Sequence, residues 1–434
     1  MKGISIRKFL IGESFEDHNK QLRRNVLWNS LGAMLNAAQS FLLLLAVTRF
    51  ISVEVGGIFS LAFATANLLM NIGNYGIRNF QVTDIQFQYS FKEYLGVRGI
   101  TCLVMLILSI MISLGQPDSG IRNRVILLLC IFKLLECIED LFLGRYHQMG
   151  RLDVAGKQWF FRTLLSMLTF AVVIVFSRDL IVACELMVLV TGGCILGMAL
   201  LTYPSFRDME NTWNKQHLIQ ILRSCFPLCA TSFFNVYLLN ASKYSIDRQM
   251  TEEYQTYYSI LFMPVFVINL LSGFLYKPIL YDLTVYWKTQ QYRRLVLILM
   301  RQIMYIAGIC VLLIIFASSV ELPVLSWVYH VDVTRYWKEY KILLIGGAFS
   351  AGAIYLSAFF TVIRKQVISL SIIALCSLIA FLGTDWMVEK SGFLGASISY
   401  CLIMFLQILF FFIISAVLIW KKTHKTINNN RIKK

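Results

Sequence analysis

Apolar and polar positions fall in long blocks along this chain. Runs of about twenty mostly apolar residues are separated by short clusters of charge, and at 1.5 Å per helical residue such a run crosses a hydrocarbon core. Twelve runs are predicted, at 26–48, 55–77, 94–114, 125–144, 159–176, 180–203, 226–248, 256–279, 295–317, 342–363, 367–388 and 394–420. The fourth is the least apolar, and the gap at 176–180 predicts a tight hairpin. The first run follows about 25 mostly polar residues and has no small-residue cleavage site behind it, which predicts an uncleaved anchor. The pattern is that of an all-α polytopic membrane protein.

Composition agrees and excludes other classes. Of 434 residues, 58% are hydrophobic and 15% charged, with mean hydropathy +0.66; soluble domains are about 25% charged. A soluble enzyme, a secreted disulfide scaffold and a nucleic-acid-binding domain do not fit. The ten cysteines lie in or beside apolar runs without a CxxC pair, so they read as small buried hydrophobes. The net charge of +16 is explained by where the basic residues sit. With a cytoplasmic N-terminus, 26 basic residues fall on the inner side and 9 on the outer. That bias places both termini in the cytoplasm and needs no nucleic-acid partner. Trp28, Trp159 and Trp420 fall at inner span ends and Trp327, Trp337 and Trp386 on the outer side, as an interfacial belt requires.

The polar stretch around 204–224 divides the spans six and six, so any internal repeat is parallel, about an axis along the membrane normal. A shift of 199 residues aligns Arg24 with Arg223, Asn36 with Asn235, Arg49 with Arg248, Glu54 with Glu253, Ser60 with Ser259 and Phe63 with Phe262. Duplication and a coincidence of orienting charges both account for six identities. The expected organisation is a cytoplasmic segment 1–25, an N-lobe 26–203, a linker 204–225, a C-lobe 226–420 and a basic tail 421–434.

Local signatures add a resemblance. Thr48-Arg49-Phe50-Ile51, Glu54-Val55-Gly56-Gly57-Ile58-Phe59-Ser60 and Tyr75-Gly76-Ile77-Arg78 resemble the first helical hairpin of polysaccharide repeat-unit flippases, members of the MATE-like oligosaccharidyl-lipid/polysaccharide exporter (MOP) superfamily. Lys243-Tyr244-Ser245-Ile246-Asp247 and Tyr257-Tyr258-Ser259-Ile260 are similar to the start of their second lobe. Many members carry Leu-Gly after the arginine where this chain has Ile51-Ser52. The resemblance implies two six-helix lobes, a central cavity lined largely by spans 1, 2, 7 and 8, and export of a lipid-diphosphate-linked glycan.

Charge inside a span is costly, so each instance is a candidate for function. In span 4, Lys133, Glu136 and Asp140 share one face at i, i+3 and i+7, beside Glu139. Lys133 lies about 12 Å from the outer end at the helical rise. This face is either a cavity wall, with Lys133 meeting a diphosphate and Glu136 or Asp140 coupling transport to an ion, or an ion pair that satisfies itself. Asn67, Asn71, Asn74 and Arg78 form a continuous stripe on span 2, facing either a hydrated cavity or a hydrogen-bonded helix interface. Amides suit sugar hydroxyls because one side chain both donates and accepts. Span 7 carries Asn240, Lys243 and Asp247, where Lys243 either attracts a diphosphate or pairs with Asp247. Arg98 and Arg301, near inner span ends, are expected to snorkel.

No histidine falls within a span, and no Walker loop, GxSxG or HExxH occurs. The largest outer segment, 318–341, is too small for a catalytic domain, though Trp327, Tyr329 and Trp337 suit an interfacial helix. No cofactor or metal is expected. The leading expectation is a non-enzymatic flippase moving a polyprenyl-diphosphate oligosaccharide across the bacterial cytoplasmic membrane by alternating access. Arg49, Lys133 and Lys243 are the diphosphate candidates, and Asn36, Asn67, Asn71, Asn74 and Asn240 the sugar candidates. Glu136, Asp140 and Asp247 are the ion-coupling candidates. Its partners would be the lipid-linked glycan, the bilayer, a polysaccharide polymerase and other assembly proteins. The alternatives are a MATE-like multidrug or ion antiporter and, in another class, a polysaccharide polymerase or membrane glycosyltransferase.

Overall fold

The computed structural model describes residues 6–12, 18–84, 86–115, 120–206, 213–276, 279–316 and 320–432; Arg207 and Lys277, both counted in the orientation bias, lie outside them. Among the described residues every regular element is helical, and ten helices are long and apolar enough to cross a membrane. These ten hold eleven of the predicted spans, because Gln366–Thr423 contains two. Gly392 divides that stretch with φ 56° and ψ −135°, a conformation closed to residues with a Cβ. The twelfth span is the charged fourth one, present as the 28-residue helix Ile121–Gln148. The chain is a multi-pass membrane protein.

It forms two compact units, Met1–Phe233 and Phe234–Lys434. The first contains α1 (Ile6–Ile11), α2 (His18–Phe50), α3 (Val53–Asn74), α4 (Ile77–Thr83), α5 (Phe91–Leu114), α6 (Ile121–Gln148), α7 (Leu152–Ser177) and α8 (Leu180–Thr202). It ends inside α9 (Lys215–Gln249). Side chains set several helix starts. The Ser52 hydroxyl accepts from the Val55 amide at 3.2 Å, and Ser90 with Glu93 forms a capping box on α5. At the 176–180 gap Arg178 turns left-handed and Asp179 caps α8, which makes the expected tight hairpin.

Departures from the predicted spans begin in the first unit. Span 2 is broken at Tyr75 (φ 50°) and Gly76 (φ 71°), so α3 stops there and α4 begins. Helix α9 starts at Lys215, eleven residues before the predicted span. The reason is tertiary. Leu218, Ile221 and Cys225, one face of α9, pack against Ile77, Phe91, Tyr94, Val97 and Leu141. Glu93 fastens the start of this stretch by accepting from the Asn214 amide and the His217 Nδ1, both at 2.9 Å.

The second unit holds the remainder of α9, then α10 (Glu252–Leu261), α11 (Met263–Tyr276), α12 (Leu280–Lys288), α13 (Tyr292–Phe316), α14 (Leu322–Tyr329), α15 (Trp337–Val362) and α16 (Gln366–Ile432). Span 8 is divided between α10 and α11 at Phe262, two residues before Pro264, which has no N–H to continue the ladder. Short α14 lies in the segment predicted to hold an interfacial helix, with Trp327 exposed and Tyr329 buried.

Candidate functional site

The charges of α6 are met inside the first unit. Lys133, 3% exposed, donates to Glu136 Oε2 at 2.7 Å and to Gln39 Oε1 of α2 at 3.1 Å. Its ammonium also stands 4.6 Å from the centre of the Phe63 ring of α3. Arg162 of α7, 1% exposed, donates to Glu136 Oε1 at 2.5 Å and to Glu139 Oε2 at 2.8 Å through Nε. Two cations and two carboxylates therefore neutralise one another where four helices meet. An arrangement of this kind is strongly held once formed, because removing any member strands a buried charge.

A second cluster lies one turn along α6. Asp140 accepts from Arg78 of α4 and Arg98 of α5, each at 3.1 Å. Arg98 also donates to the Gly73 carbonyl at 2.7 Å and to Asn74 Oδ1 at 3.2 Å. The Thr101 hydroxyl reaches the same carbonyl at 2.8 Å. Both donors satisfy the Gly73 carbonyl, a backbone acceptor released by the break at Tyr75–Gly76. The expectation that Arg98 snorkels is corrected: it is buried and holds Asp140 and the end of α3 together, because a carboxylate and the Gly73 carbonyl lie within its reach. Arg301, the other arginine expected to snorkel, is exposed.

Of the two readings of the α6 face, the structure shows the ion-paired one for Lys133 and Glu136. Arg162 was missed by the sequence reading. The signal for it is an imbalance: α6 carries Glu136, Glu139 and Asp140 against Lys133 within its span, so cations from other helices are required.

The span 2 stripe divides in two. Asn74 and Arg78 join the Asp140 cluster. Asn67 and Asn71 are partly exposed, with Asn71 donating to the Asn67 carbonyl of its own helix at 2.8 Å. Asn36 is partly exposed on α2 and Arg49 is exposed at its end.

In the second unit the Asn240 amide donates to the Val236 carbonyl at 2.9 Å. Lys243 is 9% exposed and has no hydrogen bond or ion pair among the described residues. The pair with Asp247 is not formed. Arg248 instead meets Asp385 at 2.5 Å. Among the described residues no three His, Cys, Asp or Glu side chains are placed to hold a metal ion.

Comparison with known proteins places the chain. A sequence model of a polysaccharide biosynthesis protein family matches residues 22–280, more than half of its length. No curated protein sequence matches. A solved inward-facing multidrug resistance MATE family transporter of the MOP superfamily aligns with TM-score 0.59 and 13% identity, over 92% of this chain and 99% of that one. An outward-facing structure of such a transporter aligns with TM-score 0.60 and 12% identity, over 98% and 99%. A MOP superfamily transporter from Pyrococcus furiosus, described as having a binding pocket of reversed polarity, gives TM-score 0.55 and 12% identity, over 97% and 99%. At such identities the likeness is one of fold.

Proposed function

The chain belongs to the polysaccharide biosynthesis protein family, and from that premise we propose that it is a flippase carrying a polyprenyl-diphosphate-linked oligosaccharide across the bacterial cytoplasmic membrane. The family match over residues 22–280, on a chain with the fold of MOP transporters, is the observation that carries this reading. The head group would cross by alternating access while the lipid tail stays in the bilayer, and the chain would act without covalent chemistry of its own. The basic bias of its loops supports an orientation with both termini in the cytoplasm. A polysaccharide polymerase acting on the exported unit is the natural partner, in an O-antigen, capsule or exopolysaccharide pathway.

Within this reading Lys243 and Arg49 are the diphosphate contacts. Lys133 joins them only when Glu136 is held by Arg162 alone. Asn36, Asn67, Asn71 and Asn240 remain the sugar contacts, with Asn74 engaged by Arg98. Glu136, Asp140 and Asp247 remain the proposed ion-coupling carboxylates. The polar groups of α6 do not argue for translocation in themselves, since they pair inside the first unit. The test is reconstitution into liposomes with a fluorescent lipid-linked glycan. Loss of the inner-leaflet label to an external quencher, faster than in empty vesicles, is expected; equal rates would overturn the assignment.

A further inference from the structure

The second unit contains a cavity of about 220 Å³ that no charged residue lines. It is many times the roughly 30 Å³ occupied by one water. Three helices build it by regular spacing. Asn235 and Leu238 come from α9, Ser350, Ala353 and Ser357 from α15 at i, i+3 and i+7, and Gln407 from α16. All three helices contribute these residues from near the middle of their predicted spans, the depth at which a free amide is least tolerated.

The polar groups here are open to a ligand. Gln407 is 5% exposed and its amide has no partner among the described residues. Asn235 likewise makes no side-chain hydrogen bond among them. Beside the cavity Asn269 donates weakly to the Ser350 hydroxyl at 3.5 Å, and its Oδ1 is buried with no partner. Ser357 shares a hydrogen bond with Ser369 at 2.8 Å. The lining thus offers two amides that donate and accept, two hydroxyls and aliphatic walls. An anion or a cation would find no countercharge there, and an acyl chain would leave both amides unsatisfied.

We propose that this cavity is a subsite for one neutral sugar ring of the transported glycan, with Gln407 and Asn235 hydrogen-bonding its hydroxyls and the Leu238 and Ala353 side chains against its C–H faces. The proposal rests on the flippase reading and adds to it a specific sugar-recognition site in the second unit. It extends the sugar contacts to Asn235, the position that a shift of 199 residues aligns with Asn36.

The experiment compares two probes on the full chain in nanodiscs: a polyprenyl diphosphate carrying one hexose, and the same carrier without sugar. The wild type is expected to bind the sugar-bearing probe about tenfold more tightly. Gln407→Leu and Asn235→Leu should each remove most of that ratio while leaving affinity for the bare carrier within about twofold of wild type. Ala353→Leu, which fills the cavity without touching a polar group, should do the same, and thermal unfolding in detergent verifies that each variant is folded. A wild-type ratio near one, or variants that keep the wild-type ratio, would overturn the subsite even where flipping in liposomes proceeds. Absence of glycolipid flipping by the wild type would instead overturn the function itself.

Discussion

Arg162 Nη1 lies 2.5 Å from Glu136 Oε1, joining α7 to α6 across 26 residues of sequence at a depth where both side chains are almost fully buried. The same guanidinium holds Glu139, so one cation answers two carboxylates. Arginine suits the position because its rigid fork presents several donors in one plane.

Replacing Arg162 with Leu would leave Glu136 with Lys133 and Glu139 with no cation. A loss of roughly 3–5 kcal/mol is expected, as for other broken buried pairs. Thermal unfolding in detergent measures it. Adding Glu139→Gln to that variant should recover part of the loss, since an amide costs less to bury than an uncompensated carboxylate. If the single variant unfolds like the wild type, the network is not a stabilising element.

Much of the fold was legible because span length and loop charge are properties of single segments, readable without knowing what packs where. The break at Tyr75–Gly76 was hidden because the predicted span continues through it to Ile77, and Arg98 and Thr101, from another helix, make the freed Gly73 carbonyl tolerable. Arg98 and Arg162 were hidden for a related reason. A basic residue near a span end has two outcomes, water or a buried carboxylate, and the choice depends on a neighbour distant in sequence. The cavity of the second unit was less legible still. Gln407 and Ser350 carry no charge and lie on separate spans, so their convergence depends on packing between helices distant in sequence, and only Asn235 stands out in the sequence, through its alignment with Asn36.

The break itself is open to test. A Cβ at Gly76 would sit 2.8 Å from Leu228 Cβ, and the residue has φ 71°. Gly76→Ala is expected to cost about 1–2 kcal/mol from the left-handed backbone alone, with more from the collision. Leu228→Gly in the same chain, which removes the opposing Cβ, should relieve only the collision. The two parts separate in a double-mutant cycle on unfolding temperature that includes Leu228→Gly alone, and a Gly76→Ala change that costs nothing beside Leu228→Gly would show that backbone conformation contributes nothing.

Glu93 is a fastening point of a different kind. One buried carboxylate accepts from the Ser90 amide, the Asn214 amide and the His217 ring, each at 2.9 Å. Glu93→Ala removes an N-terminal capping box from α5 and the anchor of the start of α9 together. A loss of about 1–2 kcal/mol is expected, with faster amide exchange concentrated at 214–218. Exchange that rises evenly over the first unit, with no excess at that stretch, would contradict the anchoring role.

Lys243 offers the sharpest separation of stability from function. A buried ammonium with no carboxylate beside it is a burden on folding, because desolvation is uncompensated. Lys243→Met keeps the aliphatic length and removes the charge. If the lysine serves only packing, the variant should be as stable as the wild type or more so, and transport should be unchanged. If it meets the diphosphate of the cargo, the variant should again be at least as stable, but flipping of the lipid-linked glycan should fall about tenfold or more, the loss of one charge-assisted contact. Lys243→Arg, which keeps the charge, should recover part of the rate. Greater stability combined with slower flipping is the expected pair of results, measured by unfolding temperature in detergent and quencher access in liposomes. A less stable variant would mean that Lys243 has a compensating partner in the folded protein, and unchanged flipping would remove it from the path of the diphosphate.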